Sequence, residues 1–316
     1  MMLSRIANSL FWMGRYLERV EHTARYIKVH YYSELDAPLD SKEEFIFESI
    51  MTMIDADIKI TEEGDLKEKQ LLFSITLDEN NPASITSGIG YARENARGAR
   101  DSISSELWGG INRFYHFINA YSEEELHREG IHVLCDRITE HCSIVNGYID
   151  NTLLHNEAWS LIRLGIHVER AFQITRILYS KVKDIQSLQK QYLSKSMESY
   201  ECVTMLKSAE AFDMSKIYYR GVPNIREALE FLILNRNFPK SICFNLRHIY
   251  HAVEKIATSK QHETGSIEFK VGKLYNTYEY LTIADVEKRD IPEFLNDTLL
   301  DLFEIAQGLE EKYLSN

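Results

Sequence analysis

The sequence predicts an all-α protein, a large helical bundle, and three observations carry that reading. Only five prolines, at 38, 82, 223, 239 and 292, punctuate 316 residues, and most sit beside polar or glycine-containing breaks. Between them apolar residues recur at helical spacing, as in Leu161, Leu164, Val168, Phe172 and in Ile249, Val253, Ile256. Strand-type alternation is nearly absent. At 44% apolar residues the chain can bury a sizeable core.

Helices are expected near 3–34, 42–57, 66–78, 83–103, 106–120, 122–154, 157–184, 197–215, 224–236, 239–258, 266–283 and 291–314. The polar breaks between them are short enough to be interhelical turns. The first of these, beginning MMLSRIANSLFWMGRYLERVEH, is interrupted by Asn8, Ser9, Gly14 and Arg15 and lacks a small-residue cleavage site, so it is expected to be a helix of the fold rather than a targeting signal. No stretch approaches the roughly 18 uninterrupted apolar residues of a membrane span. A net charge of −12 disfavours phosphate backbones and anionic lipid, so neither nucleic acid nor membrane is expected as a partner. Cys135, Cys142, Cys202 and Cys243 lack CxxC or zinc spacing and read as reduced, mostly buried thiols of a cytoplasmic protein.

One internal repeat stands out. SLFWMGRYLERVEHTARYI from Ser9 aligns without gaps on SLIRLGIHVERAFQITRIL from Ser160, pairing Gly14 with Gly165, Glu18 with Glu169, Arg19 with Arg170 and Arg25 with Arg176. Two copies suggest a single domain over 1–316 with pseudo-repeated halves of about 1–155 and 156–316 around a shared core, not a solenoid.

Neighbours on a helix point about 100° apart, so neither Glu-Arg pair can close on itself. In the first copy Arg15 lies three residues before Glu18, and Glu21 with Arg25 forms an i,i+4 pair. In the second, the helical neighbours of Glu169 are Ile162, Gly165, Ile166, Phe172, Gln173 and Arg176, a largely apolar patch, which predicts a buried carboxylate paired across helices. Arg93, Arg97 and Arg100 follow i, i+4, i+7 with Glu94 and Asp101 beside them, a cationic stripe that could face Glu18 and Glu169 in a connected polar core. A structural Glu/Arg network is the leading reading of these charges, ahead of a ligand pocket and a plain solvated face.

Other chemistry finds less support. Glu129-Gly-Ile-His132 is a single Glu-x-x-His where a di-metal bundle needs two, so no metal site and no cofactor are expected. His127, His132 and His141 are expected at the surface or at helix ends. Nucleophile elbows, P-loops and dinucleotide fingerprints are absent. Gly88-Ile-Gly90 reads as a tight turn ahead of the arginines, or as a helix start open to an anion. Trp108, Phe114, Tyr115 and Phe117 read as packing aromatics.

Three segments, MLSRIANSLFWMGRYLERVEHTAR from Met2, NPASITSGIGYARENARGARDSISSELW from Asn81 and LGIHVERAFQITRIL from Leu164, resemble the bacterial alpha-E domain proteins, all-helical proteins with a Glu-Arg motif. FLILNRNFPKSI from Phe231 matches more weakly. The resemblance carries over Arg15, Glu18, Arg19, Arg93, Glu94, Asn95, Arg97, Arg100, Asp101, Glu169 and Arg170 as site candidates. Ile166, Asn235 and Gly109-Gly110 depart from the pattern. The resemblance implies an accessory or binding role beside ATP-grasp-type ligases and transglutaminase-like proteins in peptide (amide-bond) modification. A free-standing enzyme using Glu18 or Glu169 as general acid or base is the alternative. A structural interaction module is the third reading, and a homo-oligomer stays open.

Overall fold

The computed structural model describes residues 3–36, 43–54, 65–189, 195–257 and 263–315, and all regular structure among them is helical. Two compact units, Met1–Ile166 and His167–Asn316, divide the chain inside one long helix.

The first unit contains α1 (Ser4–Asp36), α2 (Glu43–Ile54), α3 (Asp65–Thr76), α4 (Ile85–Gly98), α5 (Ser105–Ala120), α6 (Glu123–Glu129), α7 (Ile131–Thr152) and the start of α8 (Glu157–Gln189). α1 is its axis: Leu10, Phe11, Met13, Leu17, Ala24 and Ile27 are buried, and α4 and α7 pack along it. The second unit holds the rest of α8 with α9 (Lys195–Ser208), α10 (Phe212–Tyr219), α11 (Ile225–Leu234), α12 (Ile242–Ile256), α13 (Ile267–Tyr280), α14 (Ile283–Glu287) and α15 (Ile291–Leu309), closed by a π-turn at Glu310–Leu314. There α12 packs on α11 and α13, and α13 on α15.

Side-chain caps set many of the starts. Ser84, Ser104, Ser241 and Ser266 each accept from a backbone N–H three residues on. Ser122 with Glu125, Asn224 with Glu227 and Thr282 with Asp285 close reciprocal capping boxes.

Several expected helices divide. Gly130, at φ 85°, separates α6 from α7 inside the expected 122–154. Glu210, at φ 50°, ends α9 and opens α10 inside the expected 197–215. Gly88-Ile-Gly90 is not a turn: it lies within α4, where a side chain on Gly88 would stand 2.7 Å from Val20 Cγ2, so α4 approaches α1 closely there. All four cysteines are free and buried. Burial pushes the Cys202 thiol up to about 12 and the Cys243 thiol to about 11, and raises Cys135 further.

Candidate functional site: the Glu-Arg helices

α1 and the beginning of α8 cross where each carries a glycine. A Cβ added to Gly14 would fall within the Ile162 carbonyl and 3.2 Å from the Ile166 nitrogen. One added to Gly165 would fall within the Phe11 carbonyl and 3.3 Å from the Arg15 nitrogen. The contact is reciprocal, because Ile162 follows Phe11 by the 151 residues that separate Gly165 from Gly14 (162 − 11 = 165 − 14 = 151). Only glycine lets two helix backbones meet this closely.

One turn beyond each glycine sits a glutamate sealed from solvent: Glu18 and Glu169 are each 1% exposed. His22 Nε2 stands 3.0 Å from Glu18 Oε1, and Gln173 Nε2 donates to Glu169 Oε1 at 2.9 Å. His22 and Gln173 are again 151 apart (173 − 22 = 151), so the same helical position supplies a donor to the same carboxylate in both copies. A carboxylate in such surroundings needs that bond, since a buried unsatisfied charge costs several kcal/mol.

The neighbouring arginines are held in other ways. Arg15 is buried with its guanidinium 4.6 Å from the Trp12 ring, and the half-buried Arg19 lies 5.8 Å from the ring of Tyr16. Arg170 is buried in the second unit. The predicted i,i+4 pair is present, with Arg25 Nη2 donating to Glu21 Oε1 at 2.8 Å, and Asn146 of α7 adds a 3.3 Å bond to the other Glu21 oxygen.

The Arg93–Arg97–Arg100 stripe is not continuous. α4 ends at Gly98, and Arg100 and Asp101 belong to a 3-10 turn that feeds the Ser104 cap of α5. Arg93 Nε donates to Asn112 Oδ1 at 2.8 Å and its guanidinium lies 4.5 Å from the Tyr115 ring. Arg97 pairs with Glu94, Asn95 Nδ2 donates to the Tyr91 carbonyl at 2.8 Å, and Arg100 Nη1 donates to the Ile103 carbonyl at 3.3 Å. These bonds are local to α4, α5 and the turn between them, and the Arg97 side chain is 68% exposed. The stripe is therefore a surface cluster backed by Trp108 and Tyr115, whereas Glu18 is interior.

A family model, described as a predicted alpha-helical domain with a conserved ER motif, matches residues 2–314. The chain belongs to the Alpha-E family. Glu18-Arg19 and Glu169-Arg170 are its two Glu-Arg dipeptides. The Alpha-E chain is similar to an uncharacterized protein of Mycobacterium bovis, 21% identical over 265 residues that cover 78% of this chain and 29% of the relative. An uncharacterized protein of Mycobacterium tuberculosis is 20% identical with the same coverage. The chain thus spans less than a third of the length of these relatives. No solved structure matches it.

The Alpha-E fold also holds polar groups outside the motif. Glu129 and His132 are separated by the Gly130 break, and His132 stacks on Tyr31 at 6.0 Å. His141 is not a surface or helix-end residue: it is half-buried within α7, between Phe114 at 4.9 Å and Phe117 at 4.8 Å, and burial lowers its pKa. Lys181 of α8 lies 3.1 Å from Asp184 and 3.2 Å from Glu201 of α9 in a buried triad that the repeat does not signal.

At the N-terminus of α13 the buried Glu268 accepts from Lys312 and Tyr313 of the terminal π-turn. Burial alone would raise its carboxyl, but the bonds from Lys312 and Tyr313 outweigh that and hold it at about 2, against an ordinary 4.5. A depressed folded-state pKa stabilises the fold above the unfolded value and loses that contribution as pH falls through the folded one. Stability supplied by this clamp is therefore complete above pH 4.5 and lost between 4.5 and 2. Glu268→Gln is expected to lower the thermal midpoint at pH 7 and to narrow its gap from wild type as pH approaches 2, measured by circular dichroism.

Proposed function

We propose that this Alpha-E chain is a non-catalytic accessory or binding component of an ATP-grasp/transglutaminase-like peptide modification system. The burial of Glu18 and Glu169, at 1% exposure each, is the observation that favours this over a free-standing enzyme. A general acid or base must come within hydrogen-bond reach of its substrate, and a carboxylate enclosed by helices and bonded one turn along its own helix serves better as a structural anchor. The mycobacterial relatives are consistent with a component role, since the matching region is 29% of a much longer chain. The ligase and transglutaminase association comes from the resemblance of the Glu-Arg and arginine-rich segments.

In this reading the buried Glu-Arg helices hold the fold and the surface arginines meet the partner. Arg97, 68% exposed, would meet a partner's carboxylates first, with the partly exposed Arg93 and Arg100 beside it, and guanidinium pairs with carboxylate in a fixed two-pronged geometry.

Affinity capture with the full chain as bait, at moderate salt in its native cell, tests this by mass spectrometry of what co-purifies. Recovery of an ATP-grasp-type or transglutaminase-like protein is expected, with weaker recovery by Arg93→Glu/Arg97→Glu of unchanged circular dichroism. Recovery of neither, together with turnover of a peptide by the isolated chain, would contradict it.

A further inference from the structure

Two exposed helix faces in the second unit are complementary in charge. The outer side of α10 presents Met214, Ile217 and Tyr218, and Val222 follows just beyond its end. Tyr218 is held in place by Tyr219 at 4.9 Å and Phe231 at 5.6 Å while remaining 64% exposed, so the surface is preformed. Lys216 on the same helix and Arg220 at its C-cap flank it, and no ion pair holds either among the described residues. Of the nearby acids, Glu210 is neutralised by Lys240 at 2.6 Å. Asp213 is exposed on the same helix and offsets part of this charge, so the face is apolar with a rim of net positive charge.

α15 offers the converse. Its inner side buries Phe294, Leu295, Leu302, Ile305 and Leu309, while Leu300 and Phe303 are 58% and 61% exposed at i, i+3. Residues 291–314 carry six carboxylates, at 293, 297, 301, 304, 310 and 311, against the single cation Lys312. Glu304 pairs with Lys270 and Asp297 with Arg289, yet Asp301 beside them has no such partner among the described residues. Burial first, then Glu304 and Asp297, push its carboxyl above the ordinary range. An apolar pair on a helix of net negative charge is a surface suited to a cationic apolar partner.

We propose that the α10 face of one copy of this chain docks on the α15 face of a second copy. Ile217 and Tyr218 would pack on Leu300 and Phe303, with Lys216 and Arg220 facing the carboxylates of α15. The two faces are different patches, so each copy brings one half of the contact. Such an interface weakens with salt, because its rim is ionic. This inference does not depend on the accessory role proposed above.

Sedimentation velocity of the full chain gives the test. The wild-type mass should rise with concentration and fall back with added salt. Ile217→Asp and Phe303→Asp, both at exposed positions, should each remain monomeric with unchanged circular dichroism. Mixed at equal concentration, these two variants retain one intact face apiece, and they should form a two-chain species and nothing larger. Lys216→Glu/Arg220→Glu, which leaves the apolar contacts in place, should weaken wild-type association at least tenfold. A wild type that stays monomeric at its highest soluble concentration overturns the proposal. So does a mixture that fails to associate, or a different protein seated on the α10 face of a chain that does not pair with itself.

Discussion

Gly165→Ala is expected to destabilise the fold by about 3 kcal/mol, at the upper end of what one inserted methyl costs a packed interior. The magnitude follows from what the methyl meets. At most crowded sites a flexible side chain can turn away, but here the new atom would lie within the Phe11 carbonyl, and the backbone of α1 must move as a unit. Gly14→Ala meets the Ile162 carbonyl in the same way and should cost a similar amount. Because both glycines serve one helix crossing, the double variant should lose less than the sum, since a crossing already opened by one methyl accepts the second more easily. Gly90→Ala is the internal control: it sits in α4 with nothing within 4 Å of the added carbon, and should gain up to about 1 kcal/mol from helix propensity. Urea unfolding of the three single variants and the double measures all four values.

Lys181→Met should lower stability by about 3–5 kcal/mol, the cost of leaving buried charge without its partner. The ammonium lies between Asp184 and Glu201, and the three side chains are only 4%, 10% and 9% exposed. Removing the cation leaves two carboxylates close together in a poorly solvated space. Replacing all three, as Lys181→Met/Asp184→Leu/Glu201→Met, should recover most of that loss, because an apolar trio of similar volume has no desolvation cost. The contrast between single and triple variants, read from the same urea curves, separates an electrostatic cause from a packing one.

The all-helical fold was legible because its signals are local. Apolar spacing between the proline and polar breaks identifies the helices. The Glu21–Arg25 pair was readable for the same reason, being an i,i+4 contact on one helix. Burial of Glu169 was readable from the apolar character of its helical neighbours. Gln173 is legible as a helical neighbour of Glu169, and His22 occupies the matching position one turn after Glu18, but helical spacing alone does not say which neighbour bonds the carboxylate.

What was not legible depends on backbone geometry or on distant partners. α4 ends at Gly98 with Ala99 at φ −111° as its C-cap, and Ser104, bonded to Thr152 Oγ1 at 2.6 Å, starts α5 afresh, so the arginine stripe breaks before Arg100. Glu210 adopts φ 50° without being glycine, so no residue type announced the division between α9 and α10. Lys181 and Glu201 are 20 residues apart on different helices, and the Glu268 clamp joins positions about twice as distant. No helical period connects such pairs.

The accessory role proposed above requires that the sealed Glu-Arg helices stabilise the fold and perform no chemistry. Glu18→Gln and Glu169→Gln test it most directly, each measured for urea unfolding and, in its folded fraction, for capture of the partner recovered by wild type. The structure predicts a loss of about 2 kcal/mol for each variant, as expected when a buried bond to a charged group is weakened, with capture retained. Unchanged unfolding together with abolished capture or activity would place these carboxylates in a working site and contradict the claim.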